Sequence, residues 1–253
     1  MTNNNSLYKL GAICSIGAGM SYLAFTAFNI VDPILSAGRA GTGTPQMMLA
    51  MIAEGGTAHY LFHIAFALTG LFLLGVIPGI QRLLGKEAEG WVMMASILGY
   101  LAFGVTALTH LAEPQYEVIW AKAFATGDAA TQAALMQIMQ VSDIDPLGWF
   151  MTAAAGIWFF TVHWVALRQN AWPRTLAYLG LAAGFVYWGL FFGRLLQITA
   201  LADIAGLLGG AIIGPIVTIW LGLELNKKSG AAATTTPETR RPSTAIEARL
   251  KPK

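Results

Sequence analysis

The stretch TAHYLFHIAFALTGLFLLGVIPGI, residues 57–80, runs 24 residues without a formal charge. A helix rising 1.5 Å per residue crosses a hydrocarbon core of ~30 Å in about 20 residues, so this stretch is long enough to span a bilayer. Five others read the same way: Leu10–Val31, Trp91–Ala112, Leu147–Leu167, Thr175–Gln197 and Asp203–Gly222. In lipid every backbone polar group must be satisfied within the segment, which makes these runs helices, and the alternation of membrane β-strands is absent. The expected fold class is therefore all-α, a polytopic membrane protein of six transmembrane helices. The composition excludes an ordinary soluble domain: 56% of the 253 residues are hydrophobic and 11% charged, against roughly 25% charged in soluble chains.

The first span has an apolar run of about 22 residues, beyond the h-region of a secretory signal, and no Ala-x-Ala site closes it, so it reads as a retained helix. The single cysteine, Cys14, lies inside it as a small buried side chain.

Charge sorts the gaps between spans. Lys9, Arg82, Lys86, Arg168, Arg174, Lys227 and Lys228 occupy alternate gaps, while the others hold Arg39, Lys122 and most of the acids, among them Asp32, Glu54, Glu113, Glu117, Asp128, Asp143, Asp145 and Asp203. Short loops rich in Lys and Arg stay in the cytoplasm, which predicts both termini inside and the acidic loops outside. Trp91, Trp164, Trp172 and Trp220 then mark the inner interface and Trp149 the outer one. The lipid bilayer is the expected partner, and nothing marks a nucleic-acid partner. Residues 1–228 form the transmembrane domain. Residues 229–253, rich in Ala, Thr, Pro and basic side chains, read as a disordered cytoplasmic tail.

Two outer loops carry structure of their own. Thr44-Pro45 opens a short helix, with Thr44 as N-cap and Gly55-Gly56 closing it. Residues 113–146 read as two short helices broken at Thr126-Gly127-Asp128. These segments suit amphipathic helices resting on the surface or a lid over a cavity.

Gly206, Gly210 and Gly214 recur at four-residue spacing in span six, and Gly180-x-x-x-Gly184 and Gly189-x-x-x-Gly193 repeat the pattern in span five. Small residues let helix backbones approach in lipid. The stripes suit packing of spans five and six on each other, or docking of a second copy or of a larger membrane complex. As the centre of its stripe, Gly210 is expected to tolerate a bulky side chain far less well than Gly193. Pro78 and Pro215 are expected to bend spans two and six.

The chain reads Gly156-Ile157-Trp158, then Trp172-Pro173-Arg174-Thr175-Leu176-Ala177-Tyr178-Leu179-Gly180, and span six closes on Trp220-Leu221-Gly222. This pattern resembles a bacterial family of six-helix inner-membrane proteins classified only as a domain of unknown function. The family usually has Gly-Trp or Gly-Tyr where this chain has Ala177-Tyr178. The resemblance implies a bacterial cytoplasmic membrane and brings no activity and no functional residues with it.

Ionisable residues inside a membrane are costly and mark function by default. His59 and His63 stand four apart in span two, and span three carries Ser96, Gly99, Thr106, His110 and Glu113 at three–four spacing. Span one adds Ser15, Tyr22, Thr26 and Asn29, and span five adds Tyr187 and Arg194. At 1.5 Å per residue His59 and His110 lie about 3 Å inside their span ends, Arg194 about 5 Å and His63 about 9 Å, all in the outer leaflet. His59, His63, His110 and Glu113 suit Zn²⁺, Fe or Cu, provided that spans two and three face each other there. Haem between His63 and His110 is a narrower variant. Asn29, Tyr187 and Arg194 read as a ligand-binding set, the guanidinium favouring a carboxylate or phosphate. The bland alternative is a set of polar groups bonded to backbone, water and each other. His163 reads as a lone interfacial histidine beside Trp164.

No catalytic signature is present, and whether the chain is an enzyme stays open. Three readings follow: an outward-facing polar pocket that binds a small ligand or metal, a membrane-embedded metal or haem oxidoreductase using Glu113 or Tyr187 for proton transfer, and an accessory subunit docked through its glycine stripes.

Overall fold

The computed structural model describes residues 4–34, 44–141 and 145–234. Arg39, Gly43, Asp143 and the tail beyond Thr234 lie outside them. Helix α1 is Asn4–Val31 and the short α2 is Pro45–Ala53. Helices α3 (Thr57–Gly85) and α4 (Ala88–Thr126) are nearly continuous, separated by non-helical backbone at Ala88 (φ −139°, ψ 38°). Then come α5 (Ala129–Val141), α6 (Trp149–Gln169), α7 (Arg174–Leu195) and α8 (Thr199–Gly230), whose helix runs on to Thr234. No strand occurs among the described residues. Six of these helices are long and apolar enough to cross a membrane: α1, α3, α4, α6, α7 and α8. Gly11 near the start of α1 lies against Leu225 near the end of α8, so these two helix ends share one end of the bundle, with α2 and α5 at the other.

Local chemistry sets the helix limits. The Thr44 hydroxyl accepts from Met47 N at 3.2 Å, with Pro45 at the first helical position, and Gly55 (φ +103°) ends the turn after α2. Asp128 caps α5 by accepting from Thr131 N at 2.9 Å, and that bond holds its carboxyl below the ordinary range. Buried Asp145 accepts from the amides of Phe150 and Met151, both at 2.8 Å, and starts α6. Wide turns with π-type bonding open α6 at Trp149–Ala154 and interrupt α8 at Leu208–Ile213, just ahead of Pro215.

Three expectations need correction. The segment after span three is no separate short helix: α4 continues through Pro114 to Thr126, because one proline removes one ladder bond and the flanking turns hold. The boundary drawn at Ser229 is passed by the last helix, where the buried Ser229 hydroxyl donates to Asn226 O at 2.9 Å. The glycine stripes pair spans five and six only in part: Gly189 and Gly193 meet Ala205 and Ala202 of α8, whereas the other glycines face other helices or open space. A Cβ at Gly180 would overlap the His163 ring, and one at Gly184 would lie 3.0 Å from Gly156 O, so α7 packs on α6. Gly210 and Gly214 instead face α1, at 2.7 Å from Phe25 and 3.2 Å from Tyr22, while Gly206 has only Leu190 at 4.0 Å. Gly193 is as tight as Gly210, with Ala202 N at 2.6 Å.

One apolar core runs through the bundle. Gly75 receives Cys14 and Gly11 meets Gly79, closing α1 on α3. Gly70 abuts Phe103 O and Ala107, closing α3 on α4. Trp158 of α6, fully buried, sits on Gly99 and edge-on to Phe103 at 5.1 Å. A second, smaller cluster of Ile34, Leu49, Ile52 and Ala121 fastens α2 to the far end of α4.

Candidate metal centre

The projecting end of α4 meets the first turns of α3 and Asp32, the residue just after α1, in a polar cluster. His59 and His63 lie on one face of α3, and His110, Glu113 and Glu117 on one face of α4, as the 3.6-residue repeat requires. All three histidines are buried, and the side chains of Glu113 and Glu117 are 18% and 21% exposed. Asp32, fully buried, is fixed by Ile34 N donating to its Oδ1 at 2.9 Å, and its Oδ2 meets His59 Nδ1 at 2.9 Å.

The donor atoms fall into two triangles that share one imidazole. On one side are His63 Nδ1, His110 Nδ1 and Glu113 Oε2, with edges of 3.1, 3.0 and 2.9 Å. On the other are His59 Nε2, His63 Nε2 and Glu117 Oε2, with edges of 3.2, 3.0 and 3.9 Å. Three ligands on one tetrahedral ion with bonds of about 2.0–2.1 Å stand about 3.3–3.4 Å apart, so both triangles have the scale of a coordination face. Hydrogen bonds alone do not complete such a triangle. An ionised carboxylate only accepts, and each ring nitrogen carries at most one proton. If both nitrogens of a triangle point N–H at the oxygen, the two N–H groups face each other across the N···N edge. If one lacks its proton, its lone pair faces the carboxylate. A central cation satisfies all three edges at once.

Asp32 adds the outer half of the arrangement. Because it accepts from His59 Nδ1, it leaves the Nε2 lone pair directed at His63 and Glu117, the carboxylate–histidine pairing common behind metal ligands. A cavity of about 410 Å³ opens beside this triangle, with His59 and Glu117 in its wall, Ile52 and Gly56 on the α2 side, and Tyr60 and Lys122 on the helix flanks. Helix α2 is thus a packed wall of that cavity.

The sequence expectations divide here. The structure brings His59, His63, His110 and Glu113 together. It does not bring Tyr187 or Arg194 to them. Tyr187 is half-buried in the bundle, its hydroxyl bonded to that of Tyr22 and its ring stacked on Phe159 at 5.3 Å. Arg194 is exposed at the end of α7 beside Gly148, and Asn29 is half-buried on α1 three residues before Asp32. The hydrogen bonds named above come from the residue after α1, from α3 and from α4. The haem variant fails on space. Axial nitrogens straddling one iron would stand about 4 Å apart on opposite faces, whereas His63 and His110 meet at 3.1 Å and Phe66 stacks on His110 at 4.1 Å. His163 is fully buried rather than interfacial, donating from Nδ1 to Phe159 O at 2.8 Å against Trp172.

Asp32 and Glu117 escaped the sequence reading. Glu117 continues the stripe of His110 and Glu113 by one more turn, a signal hidden by ending span three at Ala112. Asp32 continues the span-one stripe of Tyr22, Thr26 and Asn29 by three residues, a signal hidden by placing it in the outer loop. Among known proteins, no family model, curated protein or solved structure matches the chain.

Proposed function

We propose that the chain is a membrane-embedded metalloprotein whose centre binds a divalent transition metal and presents it to a small ligand entering through the cavity beside Glu117. The observation that carries this reading is the pair of two-histidine, one-glutamate triangles, backed by Asp32 on His59. That donor set is the one used by catalytic zinc sites and by non-haem ferrous sites, both of which keep a position open for water or substrate. An ion there would supply Lewis-acid chemistry and an activated water. The chain's own part is to hold the donors, to keep the His59 tautomer through Asp32, and to place the Lys122 ammonium at the cavity wall, where it favours an anionic ligand group.

The alternation of basic and acidic gaps supports an outward-facing centre with both termini in the cytoplasm. The resemblance of residues 172–180 to bacterial inner-membrane proteins supports a bacterial cytoplasmic membrane. A cysteine at Ala133 is expected to react with an impermeant thiol reagent on intact cells and one at Gly85 is not; the reverse pattern overturns the orientation.

The decisive test is metal analysis of the purified protein, followed by titration of the chelator-treated protein with Zn²⁺ and Fe²⁺. Binding at stoichiometric levels that His63→Ala removes supports the proposal. Less than about a tenth of an equivalent, both as purified and after titration, sinks it.

A further inference from the structure

We infer that the centre is dinuclear, with the His63 ring bridging two metal ions. This rests on the metal-binding reading above and deepens it. His63 is the only described residue that belongs to both triangles, through Nδ1 in one and Nε2 in the other. Each triangle has its own glutamate and its own second histidine, so neither ion need borrow a donor from the other. With metal–nitrogen bonds of about 2.0–2.1 Å on opposite sides of one imidazole, the ions stand roughly 6 Å apart. Carboxylate- or water-bridged pairs are closer, at about 3.5–4 Å.

Charge supports two ions over one. Asp32, Glu113 and Glu117 bring three negative charges into a buried cluster. An ion on each nitrogen of His63 replaces its ring proton and adds a fourth. Two divalent ions cancel those four charges, whereas a single ion beside a neutral His63 leaves one negative charge in a low-dielectric site, a costly arrangement. Balancing the three carboxylates with three protonated histidines also gives neutrality, but it sets N–H against N–H across the 3.1 and 3.2 Å contacts of His63.

The cavity touches only one triangle. His59 and Glu117 line it, while His110 and Glu113 do not. The structure thus assigns unequal roles: the ion between His59 and Glu117 meets the incoming ligand, and the ion between His110 and Glu113 holds the His63 ring in place and tunes its partner through that ring.

The test is titration of the metal-free full-length protein with Cu²⁺, read by stoichiometry and by electron paramagnetic resonance. Two equivalents are expected in the wild type, with the signal of isolated copper replaced by that of a magnetically coupled pair. Glu113→Gln and Glu117→Gln are each expected to retain one equivalent and an uncoupled signal. Neither loss of folding nor of stoichiometry in a variant affects the wild-type coupling measurement. One equivalent in the wild type, or two without coupling, overturns the bridge while leaving the metal reading intact. No stoichiometric binding of Cu²⁺, Zn²⁺ or Fe²⁺ overturns both.

Discussion

The bundle buries histidine in two places, and the two are built differently. At the α2 end, His59, His63 and His110 meet three carboxylates and use their ring nitrogens on other side chains, both within a helix and between helices. In the α6–α7 interface, His163 spends Nδ1 on the carbonyl of its own preceding turn, and its ring fills the space left by Gly180. Its Nε2 has no partner among the described residues. Burial alone therefore does not mark a site. What separates the two is whether the ring nitrogens are directed at carboxylates and other imidazoles, or at a backbone carbonyl and packed atoms. The first arrangement is poised for a cation; the second is a polar side chain made part of the core.

The largest effect that would test this contrast is structural. Gly180→Leu should drive a side chain into the His163 ring and cost about 3–5 kcal/mol, enough to abolish folding in a marginal protein; thermal melting in detergent measures it, and an unchanged melting temperature would mean that α6 and α7 do not pack there. Next, His63→Ala should abolish metal binding, a change of 1000-fold or more in affinity, since it removes a donor from both triangles. His163→Ala should leave the affinity within about twofold while lowering stability by about 1–3 kcal/mol. Equal losses of metal in the two variants would erase the distinction. Asp32→Asn is a subtler probe, because it spares every direct donor: weakened support behind a ligand typically costs 10–100-fold in affinity. Isothermal titration would show that change against an intact fold. The smallest effect belongs to Gly206→Leu, expected within about 0.5 kcal/mol because nothing lies closer than Leu190 at 4.0 Å. Gly210→Leu, aimed at Phe25, should cost several times more.

Much of the fold was legible because lipid imposes a length and an apolarity that residues either meet or fail. Helix ends were less so. Span three reads as ending at Ala112, yet Ala121 packs with Ile34 and Leu49 beyond that point, where α4 is still helical. The site was half legible for the same reason. His59 with His63 and His110 with Glu113 declare a shared face by spacing, but spacing does not say which way a helix is rotated against its neighbours. Tyr187 and Arg194 show the consequence. Their depth along α7 suited a common pocket, but rotation turned one towards Tyr22 and left the other exposed at the helix end. The glycine stripes were legible in part: they marked close approach, and Gly189 and Gly193 do meet α8, but spacing could not name α1 as the partner of Gly210 or α6 as that of Gly184.

The cluster's place along the chain has a consequence for how the protein is made. Its donors and their support all lie between Asp32 and Glu117, in the first three of the six membrane-crossing helices. Chains emerge from the ribosome N-terminus first, and N-terminal units generally fold first. The α3–α4 pair, closed by Gly70 on Phe103, can therefore bring its histidines and glutamates together before α6 has been translated. The last three helices then close around a hairpin whose polar mouth is already assembled, with α8 laid against α1 through Gly222 on Ile16 and the Ser15 hydroxyl donating to Thr218 O at 2.6 Å.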